Sequence, residues 1–291
     1  MLNQRIRFTE KGMIINMNLF VSDLDGTLLN GKAQLTDYSR ITINQLIENG
    51  MHFTAATART YATVSKILGG LNINAPIILM NGALIRDLQN NRYVFSAIIN
   101  PNASENIISL LHQMNLYGFM YTIQNGEMIP YYEKIATQEM KEFYEERKNK
   151  YYKRFLQTKD FRNANKNVLY FSLINKKEKL IPLYEKIKNL SEIKLVFYRD
   201  VYSEDLWYLE IFSSMASKEN AVDFIRKNYG FKYITSFGDN LNDISLFNAS
   251  DRKYAVENAA PQLKQMADGI IGSNNDDGVA KFLKNNYGKD F

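Results

Sequence analysis

Residues 18–30, NLFVSDLDGTLLN, decide how this chain is read. Leu19 to Val21 form an apolar, extended run, and Asp23 and Asp25 follow it two positions apart, with Gly26 and Thr27 directly behind. Residues two apart in an extended chain project to the same side, so both carboxylates are expected to reach one pocket where the strand ends. Charge is costly to bury unless it is compensated, so such a pair after a buried run points to a cation or a reaction.

Outward from this stretch, strand and helix alternate. Residues 36–50 read as a helix with Thr36 as N-cap and Gly50 as its stop, 51–57 as a strand, 59–70 as a helix ending in glycines, and 76–82 as a short buried strand. This is the rhythm of parallel βαβ units. From about residue 87 it changes: a hairpin arm (NRYVFSAII), a helix carrying Ile107, Ile108, Leu111 and Met114, and the strands YGFMYTI, NVLYFSLIN and IKLVFYRD are separated by a charged helix around 134–150 and a helix with Leu180, Leu183, Tyr184 and Ile187. The first rhythm is expected to resume with the strand LWYLEIF (206–212), a helix from Ser217 to about Tyr229 and the strand YITSF (233–237). The expected fold class is α/β: a doubly wound, parallel-sheet (Rossmann-like) core, residues 17–86 and 212–291, with an inserted α+β cap domain, residues 87–211. Residues 1–16 read as an N-terminal extension ahead of Met17.

Composition narrows the chemistry. The 291 residues are 45% hydrophobic, enough for a sizeable core, and the absence of cysteine removes disulfides, thiolate metal sites and thiol nucleophiles. No apolar run approaches the ~18 residues of a membrane span, so a cytoplasmic protein with no membrane partner is expected. The net charge of +5 is uneven: residues 131–200 hold 17 Lys or Arg against 10 Asp or Glu, leaving −2 for the rest. That excess is read as a lysine-rich surface that also suits an anionic small molecule; no nucleic-acid partner is expected. His52 and His112 do not suggest a catalytic pair, and Trp207 with most Tyr and Phe residues of the insertion is assigned to the cap core, one or two of them being left to line the substrate pocket.

Two more strands of the alternating part end in chemistry-bearing residues. One closes at Thr57; the other runs into SFGDNLND (236–243), with Asp239, Asn242 and Asp243. Open parallel sheets bind ligands at these strand ends. Four carboxylates gathered there would raise each other's pKa, a conflict that a hard, oxygen-liganded cation such as magnesium removes.

The segments DLDGTLL, a Thr at the next strand end, a Lys before a helix, and GDNLND resemble the four motifs of haloacid dehalogenase superfamily phosphatases. The insertion, the NGA at 81–83 and the C-terminal tail look more narrowly like the Cof-type branch. The resemblance implies a nucleophile at Asp23, an acid/base at Asp25, phosphoryl contacts from Thr57 and Lys218, and Mg2+ held by Asp23, Asp239, Asp243 and the backbone carbonyl of Asp25. It also implies substrate contacts at Thr57, Arg59, Asn81, Gly82, Lys218 and Asn242. Two departures stand out: Thr57-Ala58-Arg59 where the family often has Thr-Gly-Arg, and Glu257 where it often has Gly.

The implied activity is magnesium-dependent hydrolysis of small phosphorylated metabolites (sugar phosphate, nucleotide or cofactor phosphate) through an aspartyl phosphate, by a monomer or homodimer. The alternatives are a phosphomutase, a phospho-signalling module of receiver type, and a basic nucleic-acid binder.

Overall fold

The computed structural model describes residues 17–151, 154–200 and 205–289; the expected N-terminal extension, residues 1–16, lies outside them. The chain runs β1 (Asn18–Ser22), α1 (Asp37–Glu48), β2 (His52–Ala55), α2 (Tyr61–Ile67), β3 (Ile77–Leu79), β4 (Leu84–Asp87), β5 (Arg92–Ser96), α3 (Pro101–Gln113), β6 (Gly118–Gln124), β7 (Glu127–Tyr132), α4 (Gln138–Tyr151), β8 (Leu156–Gln157), β9 (Val168–Lys176), α5 (Lys177–Ile187), β10 (Ile193–Arg199), β11 (Leu206–Ser213), α6 (Lys218–Tyr229), β12 (Tyr233–Gly238), α7 (Ile244–Asn248), β13 (Arg252–Val256), α8 (Pro261–Met266), β14 (Gly269–Ile271) and α9 (Gly278–Asn286).

The parallel sheet has the order β14-β13-β12-β1-β2. From β1 the chain winds outward to β2 on one side, and from β12 to β13 and β14 on the other, so the strand order reverses between β1 and β12. That gap is the topological switch point where open α/β sheets hold their ligands. Period two divides the faces: Phe20, Phe53 and Phe237 enter one apolar cluster with residues of α1 and α9, whereas Leu19, Val21 and Ile234 enter another with α6 and α7. Both faces are thus covered by helices, as a parallel sheet requires.

Local signals place the helices. The Thr36 side chain accepts from Ser39 N and starts α1; Ser217 does the same for α6 through Asn220 N, and Gly230, in a left-handed conformation, ends it. Arg92–Ser96 is a hairpin arm, as expected, and pairs antiparallel with β4 in a three-stranded sheet, β3-β4-β5.

The inserted sheet is mixed, in the order β10-β11-β9-β6-β7-β8. Here one expectation fails: LWYLEIF does not resume the parallel core but forms β11, antiparallel between β10 and β9. Leu209 and Ile211 are buried on one of its faces, and large side chains crowd the other, so in sequence it imitates a doubly covered parallel strand. β7 went unforeseen because Pro130 interrupts its run.

Candidate functional site

Asp23 comes directly after β1, its N–H donating to Phe237 O of β12 at 3.0 Å, so it stands at the switch point with its side chain buried. Lys218 opens α6, and its fully buried ammonium donates to Asp23 Oδ1 at 2.5 Å and to Asp243 Oδ1 at 2.6 Å. The helix dipole disfavours a cation in a first turn; the two carboxylates compensate it. The second oxygen of Asp243 accepts from the backbone N–H groups of Asp239 (3.0 Å) and Asn240 (3.2 Å). Asp243 therefore holds both Lys218 and the loop that carries Asp239.

Oxygens of Asp23, Asp239 and Asp243 lie within 4.8 Å of one another. Burial pushes the Asp23 carboxyl up to about 7, with Asp243 adding to the rise and Lys218 opposing it. Burial likewise raises Asp239, against the hydrogen bond from Thr27 Oγ1 at 3.0 Å. Burial alone would depress the Lys218 ammonium, but Asp23 and Asp243 outweigh it and raise its pKa. Three carboxylates against one ammonium leave excess negative charge in hard oxygen donors, a set that suits a magnesium-like cation. Asp243 already has hydrogen bonds on both oxygens, which leaves Asp23 and Asp239 as the freer donors.

The Asp25 carboxylate is not in this cluster. β1 ends at Ser22 and the chain turns, so the alternation that was to place Asp25 beside Asp23 no longer applies. The Asp25 side chain is 47% exposed and is held by Arg59 through Nε at 2.7 Å and a terminal nitrogen at 2.6 Å. Of the four acidic groups expected together, three converge and Asp25 lies on the adjacent turn.

Thr57 is buried beyond β2, its N–H bonded to Ile78 O. It does not cap α2; that position belongs to Thr60, and Thr57 Oγ1 instead accepts from Arg59 N at 3.1 Å. Met80 and Asn81 adopt left-handed backbone, and Asn81 N donates to Thr57 O at 2.9 Å. Gly82 (φ +92°) lies so near the start of α6 that a Cβ would sit 2.0 Å from Ser217 O. Asn242 is exposed on the short turn after Asp239.

Sequence reasoning marked Gly26 as a turn after the Asp pair but missed how Gly26, Thr27 and the C-terminal loop support Asp239 and that turn. Thr27 bonds Asp239, and Gly26 (φ +78°) leaves no room for a side chain, since a Cβ would meet Asp239 Oδ2 at 2.3 Å. Asn258 donates to Gly26 O at 2.7 Å and accepts from Asn274 N, tying the C-terminal loop to the turn behind Asp25. The motif DLDGT carried a signal for Gly26 and Thr27; nothing local marked Asn258 or Asn274.

A cavity of about 540 Å³ opens between Ala58, Arg59, Thr60 and Asn81 below, Arg59 being the partner of Asp25, and the inserted sheet above, where Tyr121, Tyr170, Tyr208 and Glu210 face it. More of the aromatics line the cavity than the one or two expected, Tyr121, Tyr170, Tyr198 and Tyr208 among them, whereas Trp207 packs in the cluster behind the sheet. His112 pairs with Glu133 at 2.9 Å, and His52 packs edge-on against Phe231, so neither histidine enters the site.

A family model described as haloacid dehalogenase-like hydrolase matches residues 20–283. Phosphatase YwpJ of Bacillus subtilis (strain 168) is 28% identical over 292 residues, covering 92% of this chain and 99% of its own length. The 5-amino-6-(5-phospho-D-ribitylamino)uracil phosphatase YwtE of the same organism is 26% identical over 289 residues, covering 92% and 97%. Among solved structures, TM0651 from Thermotoga maritima superposes with a TM-score of 0.73 at 25% identity, covering 92% of this chain and 96% of that one.

Proposed function

The chain belongs to the haloacid dehalogenase-like hydrolases, and from that premise we propose that it is a magnesium-dependent phosphatase of Cof type that hydrolyses small phosphorylated metabolites. The observation that carries this reading is the set of buried Asp23, Asp243 and Lys218 with half-buried Asp239 at the switch point of the parallel sheet.

Asp23 and Asp239, with the backbone carbonyl of Asp25, would hold Mg2+, and Asp243 would fix the loop behind them. When bound, the ion supplies neutralisation and orientation of phosphoryl oxygens. An Asp23 oxygen attacks phosphorus, the bond to the leaving oxygen breaks, and an aspartyl phosphate forms. Lys218 stabilises the charge that spreads over Asp23 and the phosphoryl group. The Thr57 hydroxyl already accepts from Arg59 N, and its hydrogen is free to bond a phosphoryl oxygen. Asp25 protonates the leaving oxygen and then takes a proton from the water that releases phosphate, which regenerates Asp23. For this, Asp25 must give up part of its pair with Arg59, whose guanidinium can then meet the substrate. Asn81, Gly82 and Asn242 complete the substrate contacts.

The inserted sheet would act as a cap that excludes bulk water. Among the described residues no helix is long and apolar enough to cross a membrane, and the reading includes a cytoplasmic monomer or homodimer. The test is p-nitrophenyl phosphate turnover with magnesium and with EDTA, for the wild type and Asp23→Asn. The reading requires metal-dependent phosphate release in the wild type and a loss of at least about 10³-fold in the variant. Turnover retained by Asp23→Asn would remove the mechanism.

A further inference from the structure

The inserted sheet has two unlike faces. On β11, Leu209 and Ile211 point into an apolar cluster with α3 and α5, whereas Tyr208, Glu210 and Phe212 point to the cavity that Arg59, the partner of Asp25, also lines. A carboxyl thus stands in the middle of a strand whose neighbours on that face are aromatic. Across the sheet, Glu210 is opposite Ser172 on one side and Val196 on the other, neither of which bears a charge.

No hydrogen bond or ion pair reaches the Glu210 carboxyl among the described residues. The opposing charge that acts on it is Arg147, whose guanidinium lies 3.5 Å over the Phe143 ring and bonds Glu146 at 3.2 Å, and Lys194 also lines the cavity. Burial pushes the Glu210 carboxyl up to about 7, with Arg147 opposing the rise. The opposite wall has a second orphan acceptor, Asn81 Oδ1, which is buried without a hydrogen-bond partner. Asn81 Oδ1 is fully buried and Glu210 half-buried, and an acceptor left unpaired in such a setting costs free energy that a ligand bringing donors recovers.

The ring geometry restricts which donors fit. Tyr170 is stacked between Tyr121 (centroids 4.2 Å apart, planes at 9°) and Phe212 (5.0 Å, 12°), and Tyr198 is stacked on Tyr208 (5.2 Å, 10°). Glu210 lies on β11 between these two stacks. Much of the ring surface is therefore spent on other rings, and the cavity is offered edges and hydroxyls as well as the carboxyl. Such a wall favours a hydroxylated group over a flat heterocycle that needs open aromatic faces.

We propose that Glu210 is a specificity-determining residue that accepts hydrogen bonds from adjacent hydroxyls of the leaving group, so the substrates selected are phosphomonoesters of polyols or sugars. This rests on the phosphatase reading above and adds to it a residue and a direction of selectivity.

The test compares kcat/KM of the wild type, Glu210→Gln and Glu210→Leu on three magnesium-supplemented substrates: a hexitol phosphate, n-hexyl phosphate of equal chain length, and p-nitrophenyl phosphate. The wild type is expected to prefer the hexitol ester over the hexyl ester by at least about tenfold, and the ratio of hexitol ester to p-nitrophenyl ester to fall at least about tenfold in Glu210→Leu, chiefly through KM, and less in Glu210→Gln. Equal rates on hexitol and hexyl esters in the wild type overturn the proposal without needing a variant. An unchanged or increased ratio in a variant overturns it too. Absence of metal-dependent turnover of all three esters by the wild type defeats the phosphatase reading itself and is distinct from either outcome.

Discussion

The Lys218 ammonium lies 2.5 Å from Asp23 Oδ1, and neither side chain is more than 6% exposed. A buried pair of this kind is held by mutual need: either partner alone leaves an uncompensated charge, which costs about 3–5 kcal/mol. Lys218→Met is expected to lower the melting temperature measured in EDTA, and the double variant Lys218→Met with Asp23→Asn to be less destabilised than the two single changes summed. Strict additivity in this cycle would show that the two groups are not coupled.

Gly26 combines left-handed backbone with an approach to Asp239 that excludes a Cβ. Gly126 has the same φ of +78°, but nothing lies within 4 Å of its added Cβ. Both Gly→Ala changes therefore carry backbone strain of about 1–2 kcal/mol, and Gly26→Ala alone also displaces a carboxylate. Calorimetric titration with magnesium should show weaker binding for Gly26→Ala and wild-type binding for Gly126→Ala. Equal affinity in both would contradict the steric account.

Thr27 Oγ1 donates to Asp239 Oδ1 and so orients a carboxylate proposed to hold the metal. Thr27→Val keeps the shape and removes the donor. Loss of such a supporting bond typically weakens metal affinity about 10–100-fold, and the half-saturating magnesium concentration for activity should rise by that order. An unchanged magnesium dependence would assign Thr27 a packing role only.

Glu210 has a folded-state pKa near 7, above its ordinary 4.5, because it is buried. A raised carboxyl contributes full stability below the unfolded-state value and loses it as pH rises through the folded-state value. Tyr121 and Tyr208, pushed up by burial to about 12, do not titrate in this window. Glu210→Gln should therefore match the wild type near pH 4, below the unfolded-state value, and be more stable at pH 8, by up to about 3 kcal/mol. A difference in melting temperature that is the same at both pH values would show that Glu210 ionises normally in the fold.

Much of this was legible before any coordinates. The caps at Thr36 and Ser217 and the glycine after α6 are local signals and mark helix ends directly. The alternation around Leu19–Val21 follows from side chains pointing to opposite faces of a strand. Asp23 and Asp239 stand out because charge at the end of an apolar strand needs a reason, whereas Lys218 comes only from the resemblance to a known family. β11 was recognised as a strand but placed in the wrong sheet, since its neighbours are chosen by pairing with β9 and β10 and not by its own residues.

What the sequence by itself determined, then, is the order of strands and helices and the identity of the acidic and basic groups at their ends, because these depend on propensity, capping and hydrophobic period within a few residues. The tertiary structure alone decided that Asp243 turns both oxygens inward while Asp25 turns away to Arg59, that Asn258 reaches back to Gly26, and that Glu210 faces a cavity without a partner. Apart from the bonds Asp243 makes within its own loop, those relations join positions tens to hundreds of residues apart, and they are set by which surfaces the sheets bury against one another, a quantity that no local pattern carries.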